Sequence, residues 1–448
     1  MATDLNCEIP FDPNLMTVMR EHSPEKAAAR VKKKLLRRAE RDYSQRLRLA
    51  YQLTFLALNA WMGTRFYLWV RHFETSGGSP YVSRPAGVEG WLPIAGMMNL
   101  KYFLVTGQVP ALHPAAMFLL ITFLAMAFLF RKAFCSWLCP VGTVSEYLGK
   151  LGKKLFGRNF QLARWADIPL RGLKYLLLGF FVWAVSSMSA NAIVAFMRSP
   201  YGIVADVKML NFFRFIGHTG LIVLGVLAIA SVLVQNFWCR YLCPYGALLG
   251  ISSLLSPMKI RRNAEACIDC AKCAKACPSA LPVDKLVTIK SAECTGCLEC
   301  VAVCPAEGAL RMGLPAMIAP RSARRMPTWA FAAGVAALFF GIVGFAKTAG
   351  YWNSNIPQSL YRQIVPHANE ASHPMPGDPA LQEWFFIRQP ELFGQTDNKS
   401  LIRVAVRSNK RCRRSRFGVR FSRAILTGED ARLSTMTLPW QLSLPCET

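Results

Sequence analysis

Apolar residues in this chain fall in long blocks, not in the short alternating runs of a soluble domain. The blocks Leu49–Val70, Pro114–Phe130, Tyr175–Met197, Thr219–Trp238 and Thr328–Ala346 are each close to the length of about 20 residues that a helix needs to cross a hydrocarbon core. A further stretch, Trp91–Val105, is shorter, holds Lys101 and reads as a re-entrant or interfacial segment. Between the fourth and fifth blocks lies a polar, cysteine-rich stretch, about Lys259–Met312. The pattern predicts a mainly α, polytopic helical membrane protein of about five spans, with an inserted α+β domain.

The first four blocks repeat one plan: helix, loop, helix, then Cys-x-x-x-Cys-Pro-x-Gly. That motif ends each half, at Cys135–Gly142 and at Cys239–Gly246. Two pseudo-repeated halves follow, with both cysteine pairs on the same side of the membrane. The expected organisation is a basic N-terminal segment over 1–47, a four-helix membrane domain over 48–258 and the inserted domain over 259–312. A linker and fifth helix occupy 313–350, and 351–448 form a tail, outside and partly disordered, whose residues 378–448 are Arg-rich with no hydrophobic period.

Composition narrows the class. At 53% hydrophobic residues, the chain is too apolar for an ordinary soluble enzyme. A net charge of +27 would suit nucleic acid, but the Lys and Arg flank apolar spans, as the positive-inside rule requires. The expected partner of that charge is therefore the lipid bilayer, with no nucleic acid. The same rule places the basic segments 30–48, 141–174 and 321–325 on the cytoplasmic side of the membrane, together with the cysteine pairs and the inserted domain. The basic run Arg403–Arg423 falls outside by parity, which long segments tolerate. Residues 1–29 lack the apolar core of a cleavable signal peptide.

The inserted stretch carries the strongest chemistry. It reads Cys267-x-x-Cys270-x-x-Cys273-x-x-x-Cys277-Pro278, then Cys294-x-x-Cys297-x-x-Cys300-x-x-x-Cys304-Pro305. A tight loop with a thiolate at every third residue supplies three ligands to a cubane. In two-cluster runs of this spacing the fourth cysteine ligates the other cluster. One [4Fe–4S] cluster then takes Cys267, Cys270, Cys273 and Cys304, and the other takes Cys294, Cys297, Cys300 and Cys277. Zinc leaves the third cysteine of each triplet unexplained, and a disulfide framework suits neither the spacing nor a cytosolic setting.

Cys135, Cys139, Cys239 and Cys243 form a second constellation. On a continuing helix the two members of each pair share one face, and paired halves bring the four thiols together at the membrane surface. They suit a further cluster, a copper site or a dithiol relay. Packing as small buried residues is the alternative. His72, His113 and His218 fall at outer ends of spans, as haem or copper ligands, proton acceptors or plain interfacial residues. Cys7, Cys412 and Cys446 have no partner at metal spacing. No nucleotide, flavin or nicotinamide motif is present.

Twin membrane motifs, Phe134-Cys135-Ser136-Trp137-Leu138-Cys139-Pro140 and Trp238-Cys239-Arg240-Tyr241-Leu242-Cys243-Pro244, followed by a two-cluster insert, resemble the polyferredoxin-like membrane proteins. That family includes NapH-type quinol dehydrogenase components, the membrane part of NosR-type regulators and the CcoG/RdxA/FixG-type oxidase assembly proteins. The resemblance covers about residues 45–365. It implies membrane-bound electron transfer, with a quinone or a redox protein of the membrane or periplasm as partner; no catalytic residue is singled out. A copper reductase serving a respiratory enzyme, or a structural assembly protein, are the competing expectations.

Overall fold

The computed structural model describes residues 43–157, 159–160, 162–313 and 326–368. The N-terminal basic segment up to residue 42, the basic run 321–325 and the tail beyond 368 lie outside the described residues, as do Cys7, Cys412 and Cys446.

Eight helices frame the protein: α1 (Ser44–Glu74), α2 (Pro93–Thr106), α3 (Pro114–Phe130), α4 (Pro140–Phe156), α5 (Arg164–Ser187), α6 (His218–Leu233), α7 (Pro244–Leu254) and α8 (Thr328–Thr348). Four of them start on proline: α2, α3, α4 and α7. Proline presets the helical φ and gives up only an N–H that has no partner in the first turn. α3 is apolar all round and most of its residues are buried, the mark of a helix enclosed by others. It is packed by α2, α7 and α8.

Among the described residues, two helices are long and apolar enough to cross a membrane, Trp165–Ser187 and Thr328–Thr348. A third span results if Ala205–Arg214 and α6, bent by 82°, are taken together. α3 is apolar but short, and α1 is long but carries Gln52, Asn59 and Arg65. The chain is thus a mainly helical membrane protein with two to three candidate spans. The stretch expected to be re-entrant or interfacial is α2, a short helix packed on α3.

The cysteine-rich stretch has its own small core. Strands β1 (Lys259–Arg262) and β2 (Leu310–Gly313) pair antiparallel, Ile260 opposite Met312 and Arg262 opposite Leu310. They close the two ends of the stretch on each other. Ile260, Leu281, Val283, Ile289 and Leu310 pack around Cys273, Cys294 and Cys300. The cysteines are therefore part of the core and not appended to it.

At the far end of α1, where the residue 84–89 loop packs, a buried ionic network ties distant segments. Arg84 pairs with Glu89 at 2.9 Å and with Asp206 at 2.6 Å. Ser354 Oγ donates to Glu89 at 2.9 Å, and His113 Nδ1 stands 3.3 Å from the same carboxylate. Burial pushes the Glu89 carboxyl up, but Arg84, His113 and Ser354 outweigh it and hold it at about 2. Burial pushes His113 down, and the hydrogen bond and charge of Glu89 more than reverse that. Glu89 therefore adds stability that is complete above its ordinary value of 4.5 and is lost as pH falls towards about 2, on the order of 3 kcal/mol. His113 adds stability that is complete below 6.5 and is lost as pH rises through its raised value. Melting temperature in detergent should fall across the acid window in the parent and much less in Glu89→Gln. Equal acid profiles for the two proteins would remove Glu89 from this role.

Candidate metal centres

The two ligand runs share an unusual backbone. In the first, Asp269 and Ala271 have φ of 51° and 53°; in the second, the matching Gly296 and Leu298 have 65° and 61°. Left-handed conformations at non-glycine residues cost energy and persist where the surroundings impose them, commonly at functional loops. The repeat of the same turn at matched positions winds each Cys-x-x-Cys-x-x-Cys run into a compact cup.

Each cup is completed from the other run. One void is lined by Cys267, Cys270, Cys273 and Cys304. A second is lined by Cys277, Cys294, Cys297 and Cys300. The two sets differ in exposure: in the first Cys270 is exposed, Cys267 and Cys304 half-buried and Cys273 buried, whereas in the second Cys277 is half-buried and Cys294, Cys297 and Cys300 are buried. Voids that each gather four thiols among mostly apolar neighbours, with Arg262 and Asp284 beside the first and Ser279 and Thr295 beside the second, fit iron–sulfur clusters, which thiolates hold.

The second cup is clamped to the membrane helices through its carbonyls. Arg131 Nη2 donates to Ser291 O at 2.8 Å, Ser136 Oγ to Thr295 O at 2.8 Å and Trp137 Nε1 to Gly296 O at 3.2 Å. Gln45 and Arg48 both donate to Cys297 O, at 3.1 and 3.2 Å. Arg48 is itself buried and bonds Glu146 of α4 and, at 3.0 Å, Glu299. An apolar cluster joins Trp137 and Leu138 to Leu298, Met312 and Phe331 across the same contact.

The four membrane cysteines also meet. A single cavity of about 1130 Å³ is lined by Cys135, Cys139, Cys239 and Cys243 together. The local geometry corrects the expectation of a continuing helix. Cys135 lies in a short helix, Ala133–Trp137, and Cys239 in one π-helical turn, Trp238–Leu242. Cys139 and Cys243 lie beyond these as N-caps of α4 and α7, with extended ψ of 119° and 105°. The cause is the following proline, which disfavours helical backbone at the residue before it. Each capping sulfur accepts a backbone N–H, from Gly142 at 3.5 Å and from Gly246 at 3.2 Å.

The two glycines differ in what they permit. A Cβ on Gly142 would lie 2.2 Å from the Cys135 carbonyl oxygen, but one on Gly246 meets nothing closer than 3.5 Å. Gly142→Ala should therefore displace the first pair at a cost of about 1–3 kcal/mol, and Gly246→Ala should be nearly neutral. Melting temperature and the rate of thiol labelling at the pairs read both effects, and equal behaviour of the two variants would contradict the close approach.

The cavity extends well beyond the thiols. Near one end it is lined by Ser136, Glu146 and Cys297, so it shares a wall with the second cup. At the other it is lined by Arg65, Arg84, Trp91 and Trp352. From Arg48, bonded to that wall, to Arg65 is about 25 Å of helix rise. Several residues here escaped sequence reasoning. Lys132, read as a flanking charge, is buried and lines the cavity, and Arg48, read as the end of a lipid-facing run, is buried against the second cup. His113 lies in the ionic network, its Nε2 2.9 Å from Gly202 O, and His72 Nδ1 is 2.6 Å from Ser79 O. His218 begins α6. The three histidines line neither cysteine void, nor the cavity.

Comparison with known proteins agrees with these regions. A family model described as a 4Fe-4S binding domain matches twice, at residues 112–159 and 216–263, each time across one cysteine pair. A 4Fe-4S dicluster domain model matches residues 259–318. The chain is 54% identical over 326 residues to YccM of Escherichia coli (strain K12), named for electron transport, covering 73% of this chain and 91% of YccM. It is 25% identical over 250 residues to the ferredoxin-type protein NapH of the same organism, covering 54% and 80%. With NirI of Paracoccus denitrificans (strain Pd 1222) it shares 30% identity over 217 residues, 47% of this chain and 31% of NirI. No solved structure matches the chain.

Proposed function

Since the chain belongs to the polyferredoxin-like membrane 4Fe–4S family and is an iron–sulfur electron-transport protein of the YccM and NapH type, we propose that it passes single electrons between two clusters in its cysteine-rich stretch, the membrane thiol site and a partner. That partner is a quinone of the membrane pool or a periplasmic reductase. In this reading the protein has about five spans in two repeated halves in the inner membrane, with the cysteine-rich domain in the cytoplasm. Clusters held by the two crossed cysteine sets supply one-electron carriers.

The supporting observation is the cavity that shares a wall with the second cup, passes the four thiols and reaches the opposite end of α1. Arg48, Arg131, Ser136 and Trp137 hold the second cup against that wall. Leu58, Phe123, Phe339 and Val343 give part of the cavity an apolar lining, which suits a lipid-soluble carrier. The exposed Cys270 side of the first cup is the side open to a soluble partner.

The test is anaerobic purification in detergent, with iron counting, reduced-state EPR and stopped-flow mixing with a short-chain quinol and with its quinone. The expected result is about eight irons in the cysteine-rich stretch and cluster absorbance that responds to one of the two. Iron clearly below about four per chain would defeat the cluster reading. Full clusters that ignore both reagents would defeat the quinone as partner and leave the periplasmic reductase.

A further inference from the structure

The large cavity is open on one flank. α1 and α8 touch near the cysteine-rich stretch, where Tyr51 Oη donates to Ala332 O at 3.0 Å and the Phe55 and Phe339 rings stand edge-on at 5.2 Å. Further along, both helices still line the cavity, α1 through Trp61 and Met62 and α8 through Phe340 and Val343. Trp61 is 54% exposed and Phe340 59%, so each ring lines the cavity and also faces outward. Trp91, 41% exposed, lines the cavity beside them and is tied to α1, its Nε1 donating to Asn59 Oδ1 at 3.2 Å. On the opposite flank Leu177 and Phe181 of α5 line the cavity half-buried.

Helix rise gives the depth of this opening. Trp61 lies about 15 Å beyond Tyr51 along α1, and Phe340 about 12 Å beyond Ala332 along α8, so the two sides of the rim are nearly level. Phe340 is about 18 Å from the start of α8 and about 12 Å from its end, and α8 is a candidate span. With a hydrocarbon core about 30 Å thick, the gap opens into lipid and not into water. Inward, the same cavity runs to the four thiols, to Lys132 and to the wall shared with the second cup. Its volume of about 1130 Å³ exceeds the range of about 300–1,000 Å³ of small-molecule pockets, which leaves room for a ring and the first part of a chain.

We propose that the gap between α1 and α8 is a side door from the bilayer, through which a quinone with a long isoprenoid tail enters ring first and leaves its tail between Trp61, Trp91 and Phe340. The inference rests on the quinone arm of the reading above and deepens it, by fixing the class of carrier and its route. A phospholipid would have to draw its charged head group past an aromatic rim inside the apolar layer, which is costly. A quinone ring is neutral in its oxidised and its fully reduced form and carries polar oxygens at its edge. Lys132, buried beside the thiols, supplies a donor for such an oxygen. The rim touches only the tail, so the gap selects for tail length and not for ring chemistry.

The experiment uses the full chain in lipid nanodiscs, with iron counted in every sample. A long-tailed quinone carrying a diazirine in its first isoprene unit is illuminated with the parent. Tags are expected on the peptides of Trp61, Trp91 or Phe340, and excess unlabelled long-tailed quinone should remove them. Trp61→Ala with Phe340→Ala should raise the half-saturating concentration of the long-tailed quinone or quinol several-fold. Its iron, its maximal rate and its response to a short-chain, water-soluble analogue should stay as in the parent. Phe180→Ala, on α5 and outside the cavity lining, should change nothing. Tags on Leu177 or Phe181 overturn the door, as does an unmoved half-saturation in the double variant. Tags that excess long-tailed quinone fails to displace mean that ordinary lipid fills the gap, and also overturn it. Should the double variant lose its iron, the tags on the parent decide. Loaded parent clusters that ignore short and long carriers alike would mark failure of the quinone reading itself, and the door falls with it.

Discussion

Cys277→Ser is expected to abolish the cluster nearest the membrane helices, although Cys277 belongs to the first run. The second void is lined by Cys277 with Cys294, Cys297 and Cys300, and the first by Cys304 with Cys267, Cys270 and Cys273. About half of the iron of the cysteine-rich stretch should go with either fourth cysteine. The spectra left behind identify which half. Cys277→Ser should leave the same EPR signal as Cys294→Ser, and Cys304→Ser the same signal as Cys267→Ser. If Cys277→Ser instead matched Cys267→Ser, ligation would follow the order of the chain and the crossed assignment would be wrong. Either loss should also loosen the fold, because Cys273, Cys294 and Cys300 sit among the few apolar residues of that core and a fold this small leans on its metal.

Arg48→Ala is expected to be among the most damaging changes outside the ligands, at about 3–5 kcal/mol for breaking a buried ion pair. Arg48 and Glu146 are 2% and 4% exposed; Glu146 keeps Lys150 at 2.7 Å and Gln52 at 3.1 Å, so the expected cost sits at the lower end of that range. The same guanidinium bonds Glu299 and the Cys297 carbonyl, so the cost falls on the junction between the second cup and the membrane helices. Arg48→Lys should rescue little, since the three bonds leave from two guanidinium nitrogens and one ammonium nitrogen cannot reproduce that planar spread. Limited proteolysis should cut the cysteine-rich stretch faster in both variants, with a lower melting temperature. An unchanged cleavage rate in Arg48→Ala would show that the junction is held by its apolar contacts and the remaining carbonyl bonds.

Sequence reasoning reached what local spacing encodes. The ligand runs state their own chemistry because their residues are neighbours in the chain, and Pro140 and Pro244 mark helix starts in plain view. The consequence of those prolines was harder to read. A spacing of four suggests one helical face, but a residue before proline leaves the helix, so Cys139 and Cys243 became caps. Charges were the least legible. Arg48 ends a basic run and Lys132 follows an apolar block, so both read as lipid-facing flanks, and only the folded chain turns them inward. Arg84, Glu89, His113 and Asp206 meet across more than a hundred residues of sequence. Nothing local announces such a network. The number of spans suffers from the opposite problem. α1 is long, but Gln52, Asn59 and Arg65 dilute it, because one of its faces serves the cavity and the cup.

The unequal burial of the two cups bears on survival in air. Oxidants attack iron–sulfur sites where solvent reaches the ligands. In the first cup Cys270 is exposed, while in the second Cys294, Cys297 and Cys300 are covered by the protein's own helices and loops. With both clusters loaded, the first cup is therefore expected to lose its iron first on exposure to oxygen. The second cup is also held to the helices by Arg131, Ser136 and Trp137, so its iron is expected to exchange with an external chelator more slowly than that of the first. The order in which iron leaves on exposure to air then separates the two cups within one preparation.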